Sequence, residues 1–426
     1  MKYLFLLQLT IAFLVSNGQS IILQGKVLND SDSTPVAFCN IYINQGSIGT
    51  HSNESGEFIL KVPENASNDS LTVSSIGYGN YSQRISDLDT KTNLIIKLKQ
   101  YTMLLEEVTI IASKDTLAAI IKKAISKIPQ NYPRKTFYLD GFYRELVLRD
   151  STYVRLLEAA IGIQDKGFDR TVDQLRTRVL AIRKSEDFVN YSLYSKMHDL
   201  IYGERNNLYE TFKFDKIRGY NVEGFRFLES LLVKPFDFEL DTIQYLDDEE
   251  IYVINYQSIN KGSLQEIGKI FINAVDNGIM RFEYQYKQVN KALVEGEPIL
   301  TAYGTNIIKS AIVQYRKIED KYYLNFIQWI APFWKAWEAS NEKDERALQF
   351  YNCSFYVNAV YTKKKDFDRI KNRDAQSKEI DLYGQEHDYD PDFWNDFNVV
   401  LINPLYKKAK SDLEKEKKLE GQFDEN

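Results

Sequence analysis

The chain has very little histidine and cysteine, and each shortage excludes a class of protein. Only 3 His and 2 Cys occur among 426 residues, too few for a histidine-rich or cysteine-rich metal centre or for a disulfide framework. A catalytic zinc site commonly takes two His and a Glu, and no His-x-x-Glu pattern is present. We therefore predict no metal and no cofactor. We also predict three lone surface histidines (His51, His198 and His387) and two buried free thiols, Cys39 and Cys353.

The chain also lacks an excess of positive charge and any late hydrophobic run. Its net charge is −6 and its pI about 5.5, which argues against a nucleic-acid partner, because such proteins present a basic surface. Beyond the N-terminus no apolar stretch approaches the roughly 20 residues that a membrane-spanning helix needs. Hydrophobic residues form 44% of the chain and charged residues 27%, so we expect folded domains rather than a disordered chain.

The first eighteen residues have the order of a secretory signal peptide. Lys2 supplies a positive charge, residues 3–15 are nearly all apolar, and the small residues Ser16 and Gly18 precede a cleavage point. We predict that residues 1–18 are removed from an exported chain. Its expected location is the periplasm or the periphery of the outer membrane, and export to the cell surface stays open.

Residues 21–99 alternate short apolar runs with polar or glycine-containing turns. Several short strands at this spacing predict an all-β sandwich, here of seven strands. The most specific residues are Gly25-Lys26-Val27, the stretches 34–41 and 53–58, and Ser75-Ile76-Gly77-Tyr78.

In order and spacing these residues resemble the carboxypeptidase regulatory-like domain, a transthyretin-type sandwich common in exported proteins of the Bacteroidetes. The resemblance covers roughly residues 22–98. It implies an accessory module and no peptidase activity.

Residues 100–135 are predicted to form a linker strand followed by a helix. Residues 104–112 are rich in strand-forming side chains, and apolar residues then recur at helical spacing from 117 to 128. Ser113 or Asp115 is suited to cap the helix, and Pro129 and Pro133 are expected to end it.

Residues 136–405 are predicted to form a larger antiparallel-sheet domain with covering helices, which makes the whole chain mainly β with α+β character. Two extended runs, 137–148 and 152–163, precede a stretch with short helices near 187–200. From residue 236 onward, apolar runs and turns such as Asn277-Gly278 predict a meander of six or seven strands. Residues 406–426 form a charged tail, expected to be a frayed helix.

Three hairpin segments, 251–256, 268–273 and 279–283, are similar to the curved half-barrel of lipoprotein-carrier proteins, in which a sheet wraps an apolar cavity. The whole layout, with Phe393-Trp394-Asn395-Asp396-Phe397-Asn398 near its end, resembles a group of exported Bacteroidetes proteins.

Two constellations are candidate binding sites. Arg144, Glu145 and Glu158 lie on two strands that are expected to pair, and Arg183 follows; they form either a charged cleft or ion pairs across a hairpin. The aromatic group is Trp329, Trp334 and Trp337. Such side chains bind sugars or lipids, or pack in a core. The acidic stretch 388–392 lacks the Gly and distal Glu of a calcium loop, and no catalytic residues are assigned.

Three functions remain open from the sequence. The first is a non-enzymatic envelope protein that binds a partner protein or an apolar ligand. For such a protein, peripheral association with the outer membrane is an open alternative. The second is a periplasmic lipid or lipoprotein carrier that uses the half-barrel. The third is a hydrolase acting on envelope glycans or peptides, which would need convergent carboxylates in a cleft.

Overall fold

The computed structural model describes residues 20–43, 48–101, 113–149, 151–188, 208–218, 236–259, 264–288, 307–339, 344–375, 382–401 and 404–425. The predicted signal peptide, the linker strand and most of the stretch near 187–200 lie outside these residues. Within them, no helix is both long enough and apolar enough to cross a membrane. The mainly β fold predicted from the sequence is confirmed.

The N-terminal unit is a sandwich of seven strands in two sheets, as predicted. One sheet has the order β4-β1-β7, and the other has the order β6-β5-β2-β3. Alternation in the fourth strand explains the packing, because Phe58, Leu60 and Val62 point into the core while their neighbours stay partly exposed. The strands are β1 Ser20–Asn29, β2 Asn40–Ile43, β3 Ile48–His51, β4 Glu57–Pro63, β5 Ser70–Ser74, β6 Tyr81–Arg84 and β7 Leu94–Leu98.

The larger unit is one curled antiparallel sheet of ten strands, β8 to β17. Its order is β11-β12-β13-β14-β15-β16-β17-β8-β9-β10. The seven-strand meander is therefore confirmed, and the earlier strands extend it beyond β17. The strands are β8 Phe137–Arg149, β9 Thr152–Asp165, β10 Arg176–Lys184, β11 Phe236–Leu246, β12 Glu249–Ser258, β13 Leu264–Asn273, β14 Ile279–Gln288, β15 Ile307–Ile318, β16 Lys321–Ala339 and β17 Asp344–Tyr361.

We call this curled sheet the half-barrel. Its inner face is covered by helix α1, Lys114–Asn131, by helix α2, Leu208–Phe212, and by the residues after α2 up to Arg218. Its outer face carries the sandwich and the C-terminal helices. A single bridge between Ile48 and Ala359 also joins the sandwich strand β3 to β17.

Helix α1 begins where predicted and ends later than predicted. The Ser113 side chain accepts from the backbone N–H of Thr116, and Leu117, Ile121 and Ile128 are buried against the half-barrel. Pro129 lies inside the last turn, so the prediction that it stops the helix is wrong. Proline there forfeits only one backbone bond near the end of a packed helix, whereas Pro133 lies beyond the C-cap residue.

The C-terminal residues are packed rather than frayed. Tyr406, Ala409 and Leu413 recur at helical spacing and are buried against the outer face. In the sequence, the charged residues between them obscure this apolar stripe. The helices are α3 Pro391–Asp396, α4 Pro404–Leu413 and α5 Leu419–Glu425, and single 3-10 turns occur at Glu64–Ala66, Ile85–Asp87, Val172–Gln174, Lys364–Asp366 and Asn372–Asp374.

Candidate functional site

Arg144, Glu158 and Arg183 meet on the outer face of neighbouring strands β8, β9 and β10. The Nε of Arg144 donates to one carboxylate oxygen of Glu158 and the Nε of Arg183 to the other, both at 2.6 Å. Burial by itself would raise the pKa of Glu158, but the charges of Arg183 and Arg144 outweigh it and hold that pKa below its ordinary value of 4.5. The carboxylate is therefore a charged partner of two cations.

The C-terminal segment covers this ion-pair network. Arg144 donates to the carbonyl of Val400 at 2.8 Å, and its guanidinium lies 4.8 Å from the ring centre of Tyr406. Arg183 lies 4.4 Å from the ring centre of Trp394. The helices thus satisfy these arginines from within the chain. A binding role for the three residues stays a prediction.

Glu145 lies on the opposite face from Arg144, because successive side chains of a strand point to opposite sides. On the inner face it pairs with Arg155 at 2.7 Å, and Arg155 also contacts Asp187 at 3.4 Å and the hydroxyl of Tyr351 at 3.2 Å. The four charged residues grouped in the sequence are therefore divided between two separate networks.

Trp329 packs on the inner face of the half-barrel. Its indole N–H donates to the Thr211 hydroxyl at 3.0 Å, and its ring stacks on Phe214 with centroids 4.6 Å apart. Trp334 and Trp337 are further along the same strand, β16, but their side chains lie outside the described residues. Their predicted binding role stays a prediction.

Residues 208–218, which we call the inner segment, are held to the half-barrel by buried polar contacts. Arg218 pairs with Asp165 at 2.6 Å, and the hydroxyl of Tyr315 donates to Asp215. Burial raises the pKa of Asp215, although Arg218 and Tyr315 oppose that shift. Sequence reasoning missed these residues, since nothing local relates the inner segment to β9 or β15.

Two lysines lie over aromatic rings at the β14–β15 part of the inner face. The Nζ of Lys216 is 4.2 Å from the ring centre of Tyr284 and 4.0 Å from a carboxylate oxygen of Glu266. The Nζ of Lys309 is 4.2 Å from the ring centre of Phe214. Burial lowers the pKa of Lys309, and this lysine forms no ion pair with a carboxylate in the described ranges.

A groove of about 990 Å³ crosses strands β11 to β15. Its side chains are mostly polar ones of the outer face, among them Asn255, Lys269 and Glu283, which alternate with the inward-facing Tyr256 and Tyr284. Lys216 and Lys309 are not among its lining residues. The groove is therefore a polar surface, separate from the two lysines of the inner face.

The sandwich packs on the outer face of β15, β16 and β17 at an interface that we call the seam. Phe38 stacks on Phe326 with centroids 5.3 Å apart, and Asn40 accepts from Gln314 at 3.3 Å. The prediction of a surface His51 is wrong, because docking of the sandwich buries its ring beside Phe326. His198 lies outside the described residues, and His387 is partly exposed.

A clamp near the C-terminus also joins the two units. Asn398 accepts from the backbone N–H of Lys61 at 2.7 Å and donates to the carbonyl of the same residue at 3.1 Å. The Lys61 ammonium group donates to the carbonyl oxygens of Trp394 and Phe397, and Asn358 of β17 donates to the Asn398 carbonyl. The stretch 393–398 thus ties the sandwich to the half-barrel.

Acidic residues in the described part of the chain build no metal centre. No group of three or more His, Cys, Asp or Glu side chains there has the placement to hold an ion. Within the acidic stretch 388–392, Asp390 caps α3 by accepting from the N–H of Phe393 at 3.1 Å. Cys39 and Cys353 are both buried and neither forms a disulfide, as predicted.

Comparison with known proteins identifies the sandwich. Residues 23–110 match the family model described as a CarboxypepD_reg-like domain, so the resemblance seen in the sequence is confirmed for that region. No curated protein matches the chain.

Several solved structures resemble the chain at low identity. A LolA superfamily protein from Nitrosomonas europaea is 10% identical, with a TM-score of 0.20 over 59% of this chain and 96% of that one. A domain from Vibrio parahaemolyticus, described as outer membrane lipoprotein-sorting, is 7% identical, with a TM-score of 0.23 over 58% and 95%. A membrane-associated protein of unknown function from Bacteroides fragilis is 8% identical, with a TM-score of 0.15 over 80% and 99%. Likeness at these TM-scores carries no functional inference.

Proposed function

We propose that the chain is a non-catalytic binding protein of the cell envelope that holds an amphiphile with a negatively charged head. The observation that carries this proposal is the pair of lysines, Lys216 and Lys309, over aromatic rings at the β14–β15 part of the inner face. The apolar chain of the ligand would lie along the aromatic side chains of that face. Its acidic head would pair with the lysines, which are favourable partners for an anion in a partly desolvated site.

The buried carboxylates support binding rather than hydrolysis. Among the described residues, Glu145, Glu158, Asp165, Asp215 and Glu266 are buried, and each has a cationic nitrogen within 4.0 Å. General acid–base catalysis by two carboxylates needs a pair that converges on one open space. These five are instead engaged by cations, and the two that share a partner, Asp165 and Asp215, are held by the buried guanidinium of Arg218.

The signal peptide predicted for residues 1–18 supports an exported location, in the periplasm or at the periphery of the outer membrane. An envelope lipid or an acylated protein is then an accessible ligand. The inner segment occupies part of the inner face, so a long ligand bound on that face would have to displace it.

Native mass spectrometry of the mature protein from its own envelope tests the proposal. We expect a co-purifying acidic lipid or acylated species. After lipid removal, a fluorescent fatty acid such as cis-parinaric acid should bind, and Lys309→Gln should weaken binding roughly tenfold through loss of a charged contact.

The matched control is Lys408→Gln, which removes an exposed lysine on the outer face and should leave probe binding unchanged. The uncharged alcohol of the same probe should bind wild type and Lys309→Gln equally. The proposal would be contradicted if neither probe bound, or if Lys309→Gln and Lys408→Gln lost the same affinity for the acid probe.

A second candidate is a protein-interaction module, favoured by two exposed apolar residues on one sheet of the sandwich. Ile22 of β1 is 45% exposed and Ile95 of β7 is 60% exposed, on strands that pair with each other. This candidate would be favoured over the first if a protein partner co-purified in stoichiometric amount with wild type. The double variant Ile22→Asp with Ile95→Asp should then lose that partner.

A further inference from the structure

A second cavity, of about 650 Å³, lies at the seam between the sandwich and the half-barrel. Strands β2 and β5 of the sandwich form one wall. The other wall includes Arg316 of β15 and the ends of the neighbouring hairpins of the half-barrel. The cavity is separate from the groove across β11 to β15, which no residue of this wall borders.

Arg316 is the only one of the four buried arginines in the described ranges that pairs with no carboxylate. Arg144, Arg155 and Arg218 each have a carboxylate oxygen within 2.7 Å. Arg316 is 6% exposed, and its Nε and Nη2 have no hydrogen-bond partner. A buried guanidinium without a counter-charge is destabilising, so an anionic ligand that paired with it would remove that cost.

The surroundings of Arg316 show the same lack of a counter-charge. Burial lowers the pKa of this guanidinium to about 10, and only the hydroxyl of Tyr42 opposes the shift. Lys317, the other cation of the wall, is already paired with Asp276 at 2.6 Å. An anion entering the cavity would therefore pair with Arg316.

The rest of the wall indicates the class of anion. Ser70, Thr72 and Ser74 alternate along β5, so they share one face of the strand, and Tyr42 lies on the paired strand β2. These hydroxyls both donate and accept. Asp69, Asp247, Glu249 and Glu319 also line the cavity; their carboxylates disfavour a dianion and can accept hydrogen bonds from hydroxyl groups.

We propose that the seam cavity binds a sugar acid, a monoanionic ligand whose carboxylate pairs with Arg316 and whose hydroxyls bond to the polar wall. Guanidinium and carboxylate match as a two-pronged pair. The cavity volume exceeds what a single carboxylate needs, which leaves room for the hydroxylated ring. The ligand would contact both units, so its binding would also strengthen the seam.

Calorimetric titration of the full chain with glucuronate tests this proposal, with glucose, acetate and inorganic phosphate as comparison ligands. We expect glucuronate to bind, acetate to bind more weakly, and glucose not to bind. Arg316→Gln should lower the affinity for glucuronate roughly 10- to 100-fold. Arg316→Lys keeps the positive charge but loses the two-pronged geometry of the guanidinium. Its affinity for glucuronate should lie between those of wild type and Arg316→Gln. Arg170→Gln, which changes an exposed arginine, should bind like wild type.

The outcomes are distinct. If glucuronate does not bind folded wild type, or if phosphate binds in its place, the proposal is overturned. Equal affinity for acetate and glucuronate would overturn the role of the hydroxyl wall. If an oligomer of uronic acids binds more tightly than the monomer, the source of the ligand is a polysaccharide. If oligomer and monomer bind with equal affinity, the source is the free acid.

Discussion

Two interfaces cover the outer face of the half-barrel, and they treat buried charge in opposite ways. Under the C-terminal helices, Arg144 and Arg183 both pair with Glu158. At the seam, by contrast, Thr50, His51, Arg316 and Asn325 all have buried polar atoms without a hydrogen-bond partner. Because an unpaired buried charge is destabilising, the paired charges under the C-terminal helices are those of a permanent core, although the Trp394 indole N–H there has no partner. The seam has the chemistry of a surface that another molecule completes.

The largest effect that we expect is from Glu158→Gln, which leaves the buried guanidinium of Arg144 and the partly buried one of Arg183 without a counter-charge. The free energy of unfolding should fall by about 3–5 kcal/mol, measured by urea denaturation. Glu64→Gln, at an exposed position in the sandwich, should change it by less than about 0.5 kcal/mol. A loss below about 1 kcal/mol in Glu158→Gln would show that the C-terminal cover does not depend on this network.

Acidification should weaken the seam before it weakens the C-terminal cover. Burial, and then the charge of Arg316, lower the pKa of His51 from 6.5 to about 3. The unfolded chain then binds a proton that the folded chain refuses, so stability falls as pH falls below 6.5. Between pH 6.5 and 5 this costs about 2 kcal/mol.

His51→Phe should remove that part of the pH dependence, because the ring lies among aromatic side chains and Phe does not titrate. Unfolding of both proteins should be followed at several pH values. The contribution of Glu158, whose pKa is lowered below 4.5, is present above that value and is lost only at lower pH. An unchanged slope in His51→Phe between pH 6.5 and 5 would contradict the burial of a neutral imidazole at the seam.

Loss of the clamp should have a moderate effect. Asn398→Ala removes both hydrogen bonds to the backbone of Lys61 and should lower the free energy of unfolding by about 1–2 kcal/mol. Asn395→Ala, an exposed change in the preceding helix α3, is the matched control. Equal stability of the two variants would mean that the sandwich is held without the clamp.

The smallest effect is expected from Arg316→Gln. Because Arg316 has no carboxylate to leave behind, its removal should change the free energy of unfolding by less than about 1 kcal/mol or raise it. The same denaturation experiment compares it directly with Glu158→Gln. A loss as large as that of Glu158→Gln would show that Arg316 has a partner within the folded chain, and the contrast between the two interfaces would disappear.

Strand positions were largely predictable because they depend on local patterns. Phe58, Leu60 and Val62 alternate in the fourth strand, and Asn277-Gly278 gives the turn between β13 and β14, where Asn277 adopts a φ of 60°. The packed C-terminal helices were missed, because the stripe of Tyr406, Ala409 and Leu413 is interrupted by lysines and acidic residues.

The candidate sites were only partly predictable. Arg144, Glu158 and Arg183 were grouped correctly from the expected strand pairing. The alternation of a strand was enough to separate Glu145 from Arg144, and that signal was overlooked. No sequence pattern pointed to Lys216, Lys309 or Arg316, because the environment of each side chain is formed by residues that are distant in sequence.

The sequence by itself determined the sandwich, the strands of the meander and the start of helix α1, because hydrophobic period, turn residues and caps act over a few positions. Only the tertiary structure decided which charges are paired. Pairing depends on which faces meet, and here the C-terminal segment brought aromatic rings and a carbonyl to Arg144 and Arg183. Docking of the sandwich buried Arg316 without bringing it a carboxylate.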